Sequence, residues 1–377
     1  MSKIEWTDET WNPIVGCSLV SPGCTNCYAM RVAARNAAMN PGLERYQGLT
    51  KPSKAGPVWT GKIGIARFPD EVLTKPLRWK RRRMIFVNSM SDLFHESVPD
   101  EWIDRIFAVM AMAPQHTFQI LTKRSRRMRE YLAHPDRSWQ IAREFLRMWA
   151  IEKVIPGHIL TDDRLPLAED QPDDHPLLKA WPLPNVWLGV SVEDQARAEE
   201  RIPDLLATPA AVRWISAEPL LGPVDLTALD AKSERGFGEI NAMTGAVYAG
   251  AAVKAGPRLD WVVAGGESGP GARPMHPDWA RSLRDQCAEA CVPFFFKQWG
   301  EWVDWRQFGA TSWRNTTPQR ASYNGPCRGT FHGGEQHFSG PFETRHDRAH
   351  IFARKGKARA GRLLDGVEHN AMPERST

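Results

Sequence analysis

The chain of 377 residues is long enough for one large α/β domain with insertions or for two ordinary domains. Its 42% hydrophobic and 25% charged residues are typical of soluble globular proteins, and because it has neither an apolar run of about 18 residues nor an N-terminal secretory signal, we expect a cytoplasmic protein without membrane contact. The net charge of +5 permits a polyanionic partner but does not require one.

Short apolar runs alternate with amphipathic stretches along the first 299 residues. The runs are rich in β-branched or aromatic residues and are typical of buried parallel strands; they cover 11–16, 84–89, 117–122, 185–191, 212–217, 259–265 and 292–297. Apolar residues at helical spacing predict helices over 28–38, 100–112, 194–206 and 278–290. This alternation predicts an α/β protein with a partial or complete parallel (βα) barrel over residues 1–299, and a doubly wound open sheet is the alternative.

Three stretches interrupt this alternation. Residues 134–183 are rich in Pro, Asp and His, and residues 230–257 are rich in Gly and Ala, so we expect both to be insertions between barrel units. From residue 300 to residue 377 the chain has no clear strand–helix unit, and it is rich in Gly and His. We expect this part to be an irregular C-terminal extension packed on the barrel.

Polar side chains follow nearly every predicted strand. They are Asn88, Ser89, Ser91, Asp92, Lys123, Ser191, Glu193, Asp194, Glu218, Glu267, Ser268 and Gln298. One polar residue after a strand is usually a turn or a helix cap, but parallel α/β proteins build their sites at the carboxyl ends of the strands. A set of this size at consecutive strand ends therefore predicts a site at that edge of the sheet.

Three cysteines, Cys17, Cys24 and Cys27, follow the first predicted strand with the spacing C-x6-C-x2-C. Thiolates are the usual ligands of iron–sulfur clusters, and three of them can bind three irons of a cubane and leave the fourth iron open. The alternative is a structural zinc ion, which needs a fourth ligand. Distant candidates for that ligand are Cys287, Cys291 and Cys327, of which the first two are better explained as core residues.

The opening of the chain combines Trp-Asn-Pro, Gly-Cys and Gly-Cys-x-x-Cys-Tyr-Ala, and with these features it resembles the three-Cys-motif phage and prophage proteins of unknown function. Those proteins are regarded as relatives of radical S-adenosylmethionine (SAM) enzymes. The resemblance covers nearly the whole chain, with further motifs at 88–95, 121–123, 189–193, 216–222, 265–269, 296–300 and 361–365. It implies a barrel of the radical SAM type that binds a [4Fe–4S] cluster and SAM.

Two departures from the usual radical SAM pattern are visible in the residues. The best-known spacing is C-x3-C-x2-C with an aromatic residue before the third Cys, whereas here the first gap is six and Asn26 precedes Cys27. The usual Gly-Gly-Glu after the second strand is replaced by Asn-Ser-Met-Ser-Asp at 88–92. The same three letters at 265–267 follow a later strand, so we do not transfer the amino-group role to them.

The resemblance implies roles for the polar strand ends in binding SAM. The expected acceptors for the methionine amine are Ser89, Ser91 and Asp92. Lys123 is expected to pair with the methionine carboxylate, and Ser191 and Glu193 with the ribose. The alternative for each of these residues is a turn, a helix cap or a solvated basic run.

Other residues are expected to act on the substrate. Glu218, Glu267 and Lys297 would face it, and His95 is a candidate acid–base group, although a lone His is more often structural. An external electron donor is implied, and a partner protein is a further candidate. The basic runs at 80–83 and 123–129 and the 16 tryptophans are compatible with a nucleobase or nucleic acid as substrate, although most tryptophans are expected in the core.

Two other functions compete with the radical enzyme. One is a non-catalytic nucleic-acid-binding protein with a structural zinc ion, and the other is an iron–sulfur redox protein that does not cleave SAM. The metal that the protein binds separates the first of these from a cluster protein, and formation of 5′-deoxyadenosine separates the second from a radical enzyme.

Overall fold

The computed structural model describes residues 4–66, 71–150, 181–233, 236–250, 252–304, 320–322, 330–332, 335–337 and 351–374. Seven strands form one parallel sheet, and their order in the sheet is their order in the chain. The strands are β1 (Glu9–Trp11), β2 (Met84–Val87), β3 (Thr117–Thr122), β4 (Val186–Ser191), β5 (Val212–Ala217), β6 (Trp261–Gly265) and β7 (Phe294–Gln298).

The sheet is curled into a half-barrel, which confirms the partial parallel barrel. The alternative of a doubly wound open sheet is wrong, because such a sheet reverses its strand order at a switch point and this one does not. Right-handed crossovers between consecutive parallel strands place the connecting helices on one face. The other face forms the concave interior.

The described helices follow the strands or lie in the connections between them. They are α1 (Tyr28–Met39), α2 (Asp100–Ala111), α3 (Ser125–Leu132), α4 (Arg137–Ala150), α5 (Gln195–Leu206), α6 (Pro277–Glu289) and the short α7 (Lys357–Ala360). The four helices expected from apolar spacing are present within one or two residues of their predicted ends. Among all described helices, none is long and apolar enough to cross a bilayer.

Strand side chains alternate between two hydrophobic cores, as the period of two requires. Outward residues such as Ile85 and Phe118 join the large core beneath the helices. Inward residues join a second core, in which Trp6 makes edge contacts with Trp214 and Trp261 at centroid distances of 5.2 and 6.1 Å. Aromatic packing thus fills the lower part of the half-barrel and leaves its upper part, at the strand ends, for the site.

The first predicted strand, over 11–16, is misplaced. The parallel strand ends at Trp11, and Ile14–Val15 instead pairs antiparallel with Gly64–Ile65 in a separate two-stranded sheet. The physical reason is Pro13, which has no N–H to donate and therefore interrupts the ladder between Trp11 and Ile14. A second small hairpin joins Thr50–Lys51 to Val58–Trp59.

The remaining strands lie in the regions expected to be insertions or extension. A four-stranded antiparallel sheet contains Leu229–Ser233, Gly236–Asn241, Ala246–Ala249 and Ala252–Ala255. Smaller antiparallel sheets contain Trp302–Asp304 with Ile351–Arg354 and Arg320–Ser322, Thr330–His332 with Glu335–His337, and Leu363–Leu364 with Val367–Glu368. Residues 151–180 of the first expected insertion and Cys327 lie outside the described residues.

The last described segment lies along the edge strand β7. The Phe296 N–H donates to the carbonyl of His369 at 2.9 Å, and the Ala371 N–H donates to the carbonyl of Phe294 at 3.2 Å. Lys357 also forms an ion pair with Glu5 near the N-terminus, at 3.1 Å. The segment therefore covers a sheet edge that would otherwise expose unpaired backbone groups.

Candidate functional site

A cavity of about 450 Å³ opens at the carboxyl ends of the strands. The expected site residues in its wall are Cys17, Cys24, Cys27, Ser89, Ser91, Asp92, Lys123, Ser191, Glu218, Glu267 and Lys297. Its apolar lining includes Ile4, Trp6, Phe86 and Leu121. His95 and Glu193 do not line the cavity, but they lie directly behind its wall, in contact with Ser18 and Lys123 respectively.

The cysteine loop, residues 17–27, connects the sheet to α1. Gly16 forms a parallel bridge with Ser91, which fixes the start of the loop beside the end of β2. Cys24 ends a single 3-10 turn that begins at Pro22, and it is 7% exposed. Cys27 is the N-cap of α1. Two thiols are therefore placed by a tight turn and a helix start, where the helix dipole favours negative charge.

Burial and charge act in opposite directions on the thiols. Burial, with a contribution from Asp92, raises the pKa of Cys17 to about 12, although the Arg124 guanidinium opposes this with its Nη1 3.6 Å from the Cys17 sulfur. Burial also raises the pKa of Cys27, and the charge of Lys123 opposes that shift. A metal that binds here must displace protons from these thiols, and it would do so beside two cations.

The fit of a metal group depends on whether it is an ion or a cluster. Within the described ranges, no three His, Cys, Asp or Glu side chains are arranged to hold a metal ion. A zinc ion requires each sulfur at about 2.3 Å from one point, whereas each thiolate of a cubane binds a different iron. Cys287 is buried in α6 and Cys291 is exposed, and neither lines the cavity.

Asp92 is saturated by protein donors. Its Oδ1 accepts from the Phe94 N–H at 3.0 Å and from the Thr122 hydroxyl at 2.7 Å. Its Oδ2 accepts from the Lys123 N–H at 3.0 Å and from Arg124 Nη1 at 3.1 Å. The carboxylate therefore joins the end of β2 to the end of β3, and its four hydrogen bonds fill the acceptor sites that an amine would need.

Glu193 accepts three hydrogen bonds, and because it is fully buried and does not line the cavity, its remaining acceptor site is closed to a ligand there. It accepts hydrogen bonds from the Ser21 hydroxyl at 2.7 Å, from Arg201 Nη1 at 3.0 Å and from the Lys123 ammonium. Although burial opposes it, the charges of Lys123 and Arg201 hold the pKa of Glu193 below its usual value. A Cβ at Gly23 would collide with this side chain, so the cysteine loop packs directly on it.

Glu267 forms a third network at the end of β6. Both of its oxygens accept from the Arg273 guanidinium, at 2.6 and 2.8 Å, and Oε2 also accepts from Asn26 Nδ2 at 3.1 Å. Arg273 donates in addition to the carbonyl of Pro22 at 3.0 Å. Glu267 thus holds the cysteine loop at Asn26 and, through Arg273, at Pro22, whereas Glu193 holds it at Ser21.

Glu218 has a different environment, because its main partner is one lysine. Lys297 Nζ lies 2.8 and 2.7 Å from its two oxygens, and Gln298 Nε2 donates to Oε1 at 3.2 Å. The Glu218 and Lys297 side chains are 18% and 13% exposed, and both line the cavity. Glu218 and Lys297 lie at the ends of β5 and β7, on either side of β6, whose Glu267 contacts the cysteine loop.

His95 lies behind the cysteine loop. Its Nδ1 accepts from the Ser97 N–H at 3.1 Å, which leaves the proton on Nε2, 3.1 Å from the Ser18 hydroxyl. Burial and the neighbouring Arg124 lower the pKa of His95, so the ring is neutral. This geometry suits a residue that orients Ser18 beside Cys17.

The Ser89 and Ser91 hydroxyls bind protein acceptors near the start of the chain. Ser89 Oγ donates to Asn12 Oδ1 at 3.1 Å, and Ser91 Oγ donates to the carbonyl of Ile14 at 2.9 Å. Tyr28 donates its hydroxyl to the carbonyl of Ser89 at 2.9 Å. The cavity wall after β2 is therefore held together by its own hydrogen bonds.

Sequence reasoning did not assign roles to the cations that complete these networks. Arg124, Arg201 and Arg273 each bind a buried carboxylate, and Arg201 is only 1% exposed. The one available signal for Arg201 was its position eight residues after Glu193 on the following helix, which is also the pattern of an ordinary solvated helix face. Arg124 was visible only as part of a basic run.

Comparison with curated proteins and with solved structures gives no significant match to this chain. One family model, described as "Protein of unknown function (DUF5131)", matches residues 1–373. The match covers the half-barrel, the cysteine loop and the C-terminal segment alike. The chain therefore belongs to the DUF5131 family.

Proposed function

We propose that the protein is a radical SAM enzyme that binds a [4Fe–4S] cluster through Cys17, Cys24 and Cys27. The observation that supports this most strongly is that all three cysteines line one cavity at the carboxyl end of a parallel half-barrel. Among the described residues, no other Cys or His lines that cavity, so three thiolates leave one iron open to SAM. The resemblance to three-Cys-motif phage and prophage proteins belongs to the same proposal.

Cys17, Cys24 and Cys27 would hold the cluster, which would supply the one-electron reduction of SAM and hence radical chemistry on the substrate. The chain's own residues would orient and enclose the cluster and SAM. Glu193 and Glu267 hold the cysteine loop at the ends of β4 and β6, and Asp92 positions Arg124 beside Cys17. Lys123 and Arg124 bring positive charge to an anionic cluster.

The saturated carboxylates change the expected SAM contacts. Because Asp92 and Glu193 already accept three or four hydrogen bonds each, they would act as supports of the site. Ser191 and the Glu218–Lys297 pair remain at the cavity wall as groups that SAM or a substrate could contact. We keep a nucleobase or nucleic acid as the substrate class, with an external electron donor.

The test is anaerobic reconstitution with iron and sulfide, followed by reduction in the presence of SAM. We expect a brown protein with about four irons per chain and formation of 5′-deoxyadenosine. Colourless protein that retains zinc would support the zinc-containing binding protein, and a cluster without SAM cleavage would support a redox protein. Either result would overturn the proposal.

Matched cysteine variants locate the cluster. Cys24→Ala removes a buried thiol of the cavity and should abolish both iron binding and SAM cleavage. Cys291→Ser changes an exposed cysteine outside the cavity and should leave both unchanged. Retention of SAM cleavage by the Cys24 variant would contradict the assigned ligands.

A further inference from the structure

The Glu218–Lys297 ion pair spans an intervening strand. Glu218 directly follows β5, Lys297 lies on β7, and β6 lies between them. Because side chains alternate along a strand, Glu218 continues the inward row of Trp214 and Ser216, and Lys297 continues that of Phe295. The pair is therefore placed on the concave face, above the aromatic core.

Gly265, at the end of β6, makes this arrangement possible. A Cβ at this position would lie 3.4 Å from the Lys297 Cβ and 3.5 Å from the Glu218 carboxyl carbon. A methyl group would just fit at these contact distances, but a larger side chain would separate the two charged groups. Gly265 thus leaves an inward position without a side chain, and the Glu218 and Lys297 side chains from the two flanking strands meet over it.

The pair retains hydrogen-bonding capacity that faces the cavity. A carboxylate offers about four acceptor sites, and Glu218 uses three of them on Lys297 and Gln298. The ammonium has three N–H donors, and at most two of them are used on Glu218. The result is a fork in which one acceptor and one donor lie 2.7 Å apart in the cavity wall.

A further polar group beside the fork lacks a partner. Gln298 is 3% exposed and lines the cavity, and its Nε2 is directed to Glu218. Its Oε1 is buried without a hydrogen-bond partner in the described part of the chain. Buried polar atoms are usually paired, so this acceptor adds unused hydrogen-bonding capacity beside the fork.

The floor of the cavity specifies the rest of the ligand. Trp6, Phe86 and Leu121 line it with flat or branched apolar surface. Aromatic side chains stack on planar bases, and a donor–acceptor fork pairs with the edge of a base, as amide side chains pair with adenine. A planar ligand with apolar faces and a polar edge satisfies both parts of the wall.

We propose that the Glu218–Lys297 fork recognises the edge of a nucleobase, at an atom pair where a donor is next to an acceptor. The inference rests on the proposed function and deepens it by assigning the residues of the same cavity that recognise the base. Two sources share this chemistry, namely the adenine of SAM and a base of the substrate. Recognition of the base does not require the cluster, so it can be measured separately.

The test is calorimetric titration of the full-length protein, with and without the reconstituted cluster, using adenosine, cytidine and uridine. At least one nucleoside should bind, and Lys297→Met and Glu218→Gln should each weaken its binding roughly tenfold or more. A control is Arg83→Met, which removes an ion pair with Glu9 at the opposite end of the sheet and should leave binding unchanged. Failure of all three nucleosides to bind, or equal binding by the variants, would overturn the inference.

Two further variants separate recognition from folding. The exchange Glu218→Lys with Lys297→Glu preserves the ion pair but reverses donor and acceptor, and it should abolish binding of the preferred nucleoside while thermal stability is retained. Gly265→Leu should separate the pair and weaken binding in the same way. Unchanged affinity in the exchanged protein would contradict the fork.

Competition with S-adenosylhomocysteine distinguishes the two sources of the base. Displacement of the nucleoside assigns the fork to the adenine of SAM, and simultaneous binding assigns it to the substrate; both results support the inference. Nucleoside binding by a protein that takes up no iron would end the proposed function but not this inference. If the fork variants changed neither SAM cleavage nor nucleoside binding, this inference would be overturned and the proposed function would stand.

Discussion

Two parts of the cavity mouth differ in how deeply their carboxylates are buried and in how many hydrogen bonds these accept: the part near the cysteine loop and the Glu218–Lys297 pair. Near the cysteine loop, Asp92 and Glu193 are 5% and 0% exposed, and they accept four and three hydrogen bonds from cations, hydroxyls or backbone N–H groups. Glu218, paired with Lys297, has an acceptor site to spare, and its side chain is 18% exposed at the cavity wall. All three follow a strand end, so their positions in the sequence do not distinguish them.

The difference separates support from recognition. A saturated, buried carboxylate can accept a new ligand only by giving up a charged partner, which would leave that partner unpaired in a poorly solvated site. A carboxylate in a cavity wall can exchange water or add a ligand at little cost. We therefore expect substitutions of Asp92 and Glu193 to affect stability and iron binding, and substitutions of Glu218 and Lys297 to affect ligand binding.

The largest expected effect comes from Asp92→Ala. This change removes four hydrogen bonds and leaves the buried Arg124 without its buried partner. We expect the free energy of unfolding to fall by about 3–5 kcal/mol, as measured by urea unfolding monitored with tryptophan fluorescence.

Glu96→Ala is the matched control for this experiment. Glu96 also pairs with Arg124, at 2.9 Å, but its side chain is 63% exposed. Solvent screens such a pair, so its loss should lower the free energy of unfolding by less than about 1 kcal/mol. Equal effects of the two variants would show that burial does not decide the contribution of these carboxylates.

Glu193→Gln is expected to have the next largest effect. The change removes the negative charge between Lys123 and Arg201, and it weakens the contact to Ser21 in the cysteine loop. The free energy of unfolding should fall by about 2–3 kcal/mol. Faster alkylation of Cys24 and a lower iron content after reconstitution should accompany it.

Glu200→Gln provides the control, because Glu200 on α5 also lies close to Arg201. Glu200 lies 3.9 Å from Arg201 and is 57% exposed. Its substitution should leave the alkylation rate of Cys24 and the iron content unchanged. If Glu193→Gln likewise left both unchanged, the cysteine loop would not depend on this carboxylate.

The sequence predicted the sheet well because buried parallel strands and amphipathic helices leave strong local patterns. Continuous apolar runs placed β2 to β7 within two residues of their observed bounds. The first strand failed because Trp11 and Ile14 are both apolar but belong to different sheets, separated at Pro13. Apolarity identified the segment, and hydrogen-bond pairing decided its partner.

The location of the site was also predictable, because the strand ends of a parallel sheet converge whatever their side chains do. The role of each carboxylate was not. Glu193 depends on Ser21 and Lys123, which are 172 and 70 residues away in the chain, and Glu267 depends on Asn26, which is 241 residues away. No local pattern specifies such partners, and so none could separate supports from recognition groups.

Lys297→Met tests whether the Glu218–Lys297 pair contributes less to stability than the buried carboxylates do. Water in the cavity should replace the lost donor to Glu218, so we expect a fall in the free energy of unfolding of only about 1 kcal/mol. Iron content after reconstitution should equal that of the unsubstituted protein. Loss of iron would place this pair among the supports of the cysteine loop.

The smallest effect is expected for Lys357→Met, which removes the ion pair between Lys357 at the cavity wall and Glu5. Lys357 is 42% exposed and its partner Glu5 is 23% exposed, so solvent screens the pair and the free energy of unfolding should change by less than about 1 kcal/mol. The segment that carries Lys357 is also held to β7 by backbone hydrogen bonds at Phe294 and Phe296. A fall in the thermal midpoint as large as that of Asp92→Ala would instead mean that this single pair closes the half-barrel.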